Sequence, residues 1–299
     1  AWKQYGLSVL AVETTTSAGD THYNASAWVL KGSDIADAHL DGDDSTDPFA
    51  LLEGKTSCHT GWLKSAGMLM PMGYLIKNGY VTPIGDASDI NSLRTTIDSH
   101  FDGSEGNGNA ASIPDSGSLY SGYSGAIECL STGYGDVAFA KGDDFSTPEK
   151  YCGDENASNN EEWCLDMDEY VQLPSFGQSP SHPVMYNPDL LDVHTRNAIL
   201  NAMLSWSDEM WVDNYPMGDQ TYTGCYNVVT HQVADIPMNQ CGGEIISSVT
   251  SKGYKLVAGN SQNHLASYSS LLGSIPGLSE YYHSSDKYGI TDAEDSEQN

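Results

Sequence analysis

Basic residues are scarce in this chain of 299: 12 lysines and arginines stand against 41 aspartates and glutamates, a net charge of −29. A surface this acidic repels nucleic acid and anionic membrane, which makes both poor partners. Its plain physical role is solubility in a saline medium. Long apolar runs are also missing, and no stretch approaches the roughly 20 residues of a membrane span. No signal peptide stands at Ala1, as in a mature chain or a fragment. No segment repeats, so the chain reads as a single copy of its fold. The six cysteines include no CxxC pair, which argues against a structural zinc site. There is no nucleophile elbow, no P-loop and no carboxylate pair at a recognisable catalytic spacing, so an enzyme is not expected.

What the chain does carry is an even set of cysteines at loop-like spacing. Cys152 and Cys164 bracket one polar loop, Cys225 and Cys241 bracket another, and Cys58 and Cys129 remain. Three disulfides imply an oxidising location, outside the cell or on its surface. Asn156-Ala157-Ser158 is a glycosylation signal on a polar loop. Asn24-Ala25-Ser26 has the same form but falls in a core strand, where it is expected to stay bare.

Taken in order, Leu7 to Thr14 and His22 to Lys31 read as strands; the alternation of the second puts Tyr23, Ala25, Ala27 and Val29 on one face. Gly32 to Pro48 is acidic and glycine-rich. Its aspartates miss the spacing of a calcium loop, so a solvated loop is expected there. Helices are expected at Ile90 to Phe101 and Gly122 to Ser131, with a strand at Asp136 to Lys141. Gly103 to Gly117 reads as a loop, and Gly142 to Glu162 as an acidic excursion closed by a disulfide. Strands follow at Asp168 to Leu173 and His182 to Tyr186. Asp189 to Trp211 reads as the longest helix, with a buried apolar stripe. Strands at Thr221 to His231 and Tyr254 to Gly259, helices at His264 to Leu272 and Pro276 to Tyr282, and an acidic tail over 284–299 complete the pattern. Alternating strands and helices argue for an α/β architecture.

One stretch organises the rest: Thr56-Ser57-Cys58-His59-Thr60-Gly61-Trp62-Leu63-Lys64-Ser65-Ala66-Gly67. It reads as a short buried strand, a turn, and a helix with Thr60 at its N-cap, interrupted further on by Pro71. Free N–H groups at such a turn suit an anion. On spacing alone, however, a capped helix that binds nothing is the commoner outcome. By the same token Tyr23 reads as an ordinary strand aromatic, and His59 as a histidine packed behind the turn.

The string CHTGWLKSAG resembles the segment with which transferrin lobes hold carbonate beside ferric iron. Other motifs follow in the family's order. His22 to Val29 resembles the first iron-tyrosine strand, and Tyr120 to Leu130 with Gly135 to Lys141 resembles the second iron-tyrosine helix and its following strand. Cys164-Leu165-Asp166 and Pro180 to Val184 come after them. The low basic content and single-lobe length are similar to those of algal phytotransferrins. The resemblance implies a two-domain fold of the periplasmic-binding-protein type with a ligand cleft. It puts 1–22 and 182–283 in the first domain and 23–181 in the second, with the crossing strands acting as a hinge. It also implies a Cys58–Cys129 pairing.

By the same resemblance Tyr23, Tyr123 and His182 are the metal ligands. Synergistic carbonate is held by Thr60, Lys64 and the backbone N–H groups of Ala66 and Gly67. Ferric iron is hard and prefers anionic oxygen, and a phenol, which ionises near pH 10, becomes a phenolate when a cation compensates it. Two departures stand out. Lys64 replaces the family's usual arginine, giving a point charge in place of a planar fork. By the resemblance the sequence also begins after the segment that carries the family's iron-binding aspartate; either that opening is absent from the sequence given or the first domain lacks it, and the ligand has no counterpart among the residues present. The expected function is carbonate-dependent ferric iron binding for uptake or transport at the cell surface or outside the cell, with any receptor or membrane anchor outside this sequence. The alternatives are a phosphate- or phosphonate-binding solute-binding protein and a non-binding structural relative.

Overall fold

The computed structural model describes residues 2–15, 19–43, 45–101, 113, 120–142, 147–152, 161–250 and 255–283. In chain order its elements begin with α1 (Trp2–Tyr5), β1 (Ser8–Glu13), β2 (His22–Leu30), α2 (Asp34–Leu40) and β3 (Ser57–His59). Next come α3 (Met70–Lys77), α4 (Asn91–His100), α5 (Gly122–Ser131), β4 (Val137–Lys141) and α6 (Thr147–Cys152). Then follow β5 (Tyr170–Gln172), β6 (Gly177–Pro180), β7 (Pro183–Tyr186) and α7 (Val193–Trp206). The remainder is β8 (Glu209–Met217), β9 (Gln220–Asn227), β10 (Gln232–Ala234), α8 (Gly242–Val249), β11 (Leu256–Ala258), α9 (Ser261–Leu272) and α10 (Leu278–His283). The glycosylation signal at Asn156, most of the Gly103 to Gly117 loop and the acidic tail over 284–299 lie outside the described residues.

The chain divides into two units. One comprises Ala1–Tyr23 and Pro180–Ala266; the other comprises Asn24–Ser179 and Ser267–Asn299.

In the first unit β1 is the middle strand of an antiparallel sheet ordered β11-β1-β7. Its successive residues Val9 to Glu13 are all buried, so both faces of this middle strand are covered. A second antiparallel sheet, ordered β10-β9-β8, is tied to α8 by the Cys225–Cys241 disulfide. The helix expected to run from Asp189 to Trp211 spans only Val193–Trp206, capped by Asp192, which accepts from the N–H groups of His194 and Thr195. Glu209, Met210 and Trp211, the end of the expected helix, lie in β8 opposite Asn227, Tyr226 and Cys225, so cross-strand pairing overrides the helical reading. The expected buried stripe is not realised: α7 has no fully buried residue, and Leu190, just before it, is 83% exposed.

The second unit is built on a sheet ordered β3-β4-β2-β5, with β3 parallel to β4 and β2 antiparallel to both β4 and β5. Helix α5 covers this sheet with Ala126, Ile127, Cys129 and Leu130, all buried. The Cys58–Cys129 bridge fastens that helix to β3. Beyond β3 the four described phenylalanines, Phe49, Phe101, Phe139 and Phe176, form a buried chain of ring contacts with centroids 5.1 to 5.9 Å apart. A third bridge joins Cys152 to Cys164.

The acidic stretch expected to be a loop contains α2, with Ser33 as its N-cap accepting from Ala36 N–H and with Ile35 and Ala36 buried. Two apolar positions and a serine cap were enough for a two-turn helix that the aspartate density masked. Ser26 is fully buried beside Gln172, so the Asn24 signal lies in the sheet as expected.

Candidate functional site

Strand β3 delivers Ser57, Cys58 and His59, all fully buried, to the start of the turn. His59 is held at both ring nitrogens, with Nδ1 2.9 Å from Gly67 O and Nε2 2.9 Å from Ser57 Oγ. A carbonyl only accepts, so Nδ1 carries the proton and Nε2 accepts from the Ser57 hydroxyl. Burial pushes the imidazole down to about 4, which leaves it neutral. Pro71 has no N–H to give the Gly67 carbonyl four residues earlier, and the His59 ring donates to that carbonyl.

Thr60 is not a helix N-cap. A turn from Gly61 to Lys64 intervenes, closed by the Lys64 N–H donating to Gly61 O at 3.2 Å. It requires φ of +146° at Gly61 and +60° at Leu63. A π-helical turn, Ser65–Leu69, then leads into α3. π-turns of this kind recur at functional sites. Lys64, the capping residue, is exposed, and its own side chain makes no cap bond to the N–H groups that open the turn. Thr60 is buried against Gly67, where an added Cβ would overlap Thr60 Oγ1. Thr60 and Gly67 are in contact, and Lys64 and Ala66 stand at the N-terminal, positively polarised end of the same turn. A hydroxyl, an ammonium and backbone N–H groups form the donor set a small oxyanion needs.

Tyr123 belongs to the same unit. The N–H of Gly122 donates to Thr60 O at 2.8 Å, so the helix that carries Tyr123 starts on the carbonyl that opens the Gly61–Lys64 turn. Tyr123 is half-buried against the α5 core, and Lys141 Nζ lies 5.5 Å from its ring centroid. Tyr120 precedes the helix at φ +62°; its backbone lies against Gly125, and its ring is 5.7 Å from that of Tyr134. On the far side of the turn, Ser65 Oγ lies 2.8 Å from the hydroxyl of Tyr268.

Over residues 2–187 the chain matches the family model described as Transferrin. It belongs to the transferrin family. Ovotransferrin from Gallus gallus is 33% identical over 152 residues, covering 46% of this chain and 20% of the relative. Serotransferrin from Paralichthys olivaceus is 27% identical over 256 residues, covering 79% and 33%. The solved structure of transferrin 1 from Manduca sexta is similar at a TM-score of 0.45 and 20% identity, covering 67% of this chain and 35% of that one. The chain therefore spans a fifth to a third of the length of these transferrin relatives.

The other two expected metal ligands of this transferrin-family chain lie in the first unit. Tyr23 is on β2, at the last residue before the chain passes into the second unit. His182 is largely exposed and stands just before β7, with Nδ1 3.4 Å from Glu13 Oε1. Glu13 is buried at the end of β1. Glu13 is not among the expected ligands; its mark in the sequence is a lone glutamate ending an otherwise apolar strand, LSVLAVE. The Ser181 side chain adds a hydrogen bond from Oγ to Glu13 O, fastening the residue before His182 to the same strand. Two groups thus form within the units: the Thr60–Gly67 turn with the Tyr123 helix, and the Glu13–His182 pair. Among the described residues no helix is long and apolar enough to cross a membrane.

Proposed function

We propose that this protein binds ferric iron together with carbonate, as a carrier rather than an enzyme, in iron uptake or transport outside the cell or at its surface. Tyr23, Tyr123 and His182 supply two phenolates and a neutral nitrogen to the metal. Carbonate fills the donor set of Thr60, Lys64 and the N–H groups of Ala66 and Gly67. The observation that carries the reading is the hydrogen bond from Gly122 N–H to Thr60 O, which starts the Tyr123 helix on the anion turn. Family membership supports the ligand class, and the donor types suit a hard trivalent cation. Because the phenols must lose protons to bind, loading releases protons and acid releases the metal.

A ferric titration with and without bicarbonate tests the reading. A visible tyrosinate charge-transfer band that grows only with bicarbonate present is the expected result. No band under either condition, with thermal stabilisation by phosphate instead, would replace ferric binding with simple anion binding.

A further inference from the structure

The anion turn has a support outside its own segment. Leu63 holds φ of +60°, a conformation unfavourable for a side chain with a Cβ, and such strain persists only where the surroundings over-determine it. Trp62 precedes Leu63 at the apex of the turn and is half-buried. The guanidinium of Arg94 lies on its ring, with Cζ 3.6 Å from the centroid. Arg94 is on α4, and that helix is a fixed platform: Leu93, Thr96 and Ile97 are fully buried, and Thr96 Oγ1 donates to Ser92 O at 2.7 Å and accepts from Ile84 N–H at 3.0 Å. A planar guanidinium at contact distance stacks on an indole in a way that an ammonium does not. Trp62 stands two residues after Thr60 and two before Lys64, so the seat of its ring sets where both anion donors lie.

We propose that Arg94 is a positioning residue for the anion turn: by stacking on Trp62 it holds Gly61 to Lys64 in the shape that aims Thr60 and Lys64 at one anion. The inference rests on the carbonate reading above, and Arg94 acts on the anion only through the indole.

The test is ferric loading at graded bicarbonate in the wild type, Arg94→Ala, Arg94→Lys, Trp62→Leu and the Arg94→Ala/Trp62→Leu double variant, with thermal unfolding of each. Arg94→Ala raises the half-saturating bicarbonate by about tenfold, the scale of a partly desolvated cation–π contact. Arg94→Lys recovers little of the loss. Trp62→Leu shows a similar rise, and the double variant is no worse than either single one, since both remove the same contact. A wild type that loads iron with bicarbonate while Arg94→Ala keeps the wild-type half-saturation overturns the inference alone. So does an additive double variant, or a loss seen only as a lower unfolding temperature. A wild type that loads no iron at any bicarbonate concentration overturns the carbonate reading and this inference with it.

Discussion

His59 Nδ1 lies 2.9 Å from the carbonyl oxygen of Gly67, eight residues further along the chain. That bond closes the Thr60–Gly67 turn from behind and fixes the ring in one tautomer, with Ser57 on its other nitrogen. The turn is thus shaped by a buried neutral histidine as much as by its own sequence.

Acid should loosen this arrangement, in a defined direction. The His59 value falls from an ordinary 6.5 in the unfolded chain to about 4 in the fold, so as pH drops the unfolded chain takes up the proton first. Stability present above about pH 6.5 is lost as pH falls toward 4, with a slope approaching ~1.4 kcal/mol per pH unit. His100 and His264, lowered by burial, contribute with the same sign. Urea unfolding across this range is expected to show the loss, and His59→Gln is expected to flatten the His59 part of it.

Gly67→Ala forces a methyl into the space held by Thr60. The expected cost is ~1–3 kcal/mol of unfolding free energy, the usual range for overpacking a tight site. Carbonate-dependent loading should fall with it, because the displaced group is the Thr60 hydroxyl. Denaturant unfolding and ferric titration of one preparation measure both.

Glu13→Gln keeps the shape beside His182 and removes the carboxylate. Groups that orient a ligating imidazole typically change metal affinity by about 10- to 100-fold. A weaker ferric affinity with unchanged unfolding is therefore expected, read by competition with a chelator.

Lys64 is exposed at the start of the π-turn, and its ammonium offers a point charge where arginine offers a fork. Lys64→Arg is expected to hold carbonate more tightly and to release iron at a lower pH. Unchanged release on acid titration would mean that Lys64 takes no part in anion binding.

The sequence pattern gave away most of the second unit. Gly122 to Ser131 forms a helix at the boundaries its glycine and serine suggest, and the strands around Ser57, Val137 and Tyr170 lie close to where β-branched and apolar alternation put them. The anion turn was legible as a turn, but not as the four-residue detour that separates Thr60 from the π-turn. A leucine with positive φ leaves no mark in composition, because neighbours such as Arg94 on Trp62 sustain it. In the first unit, Glu209, Met210 and Trp211 read as the end of a helix and yet form a strand, since their partners Asn227, Tyr226 and Cys225 lie far along the chain. Glu13 was hidden for a related reason: its meaning comes from His182, far along the chain.

The central claim is that two tyrosines from distant segments ligate one ferric ion, and the visible band of the iron-loaded protein tests it most directly. Ferric titration in bicarbonate is compared for the wild type, Tyr23→Phe, Tyr123→Phe and the double variant. The expected result is a tyrosinate charge-transfer band in the wild type that weakens in each single variant and vanishes in the double one. A band that survives in the double variant, or a wild type that shows none, would contradict ferric binding by these residues.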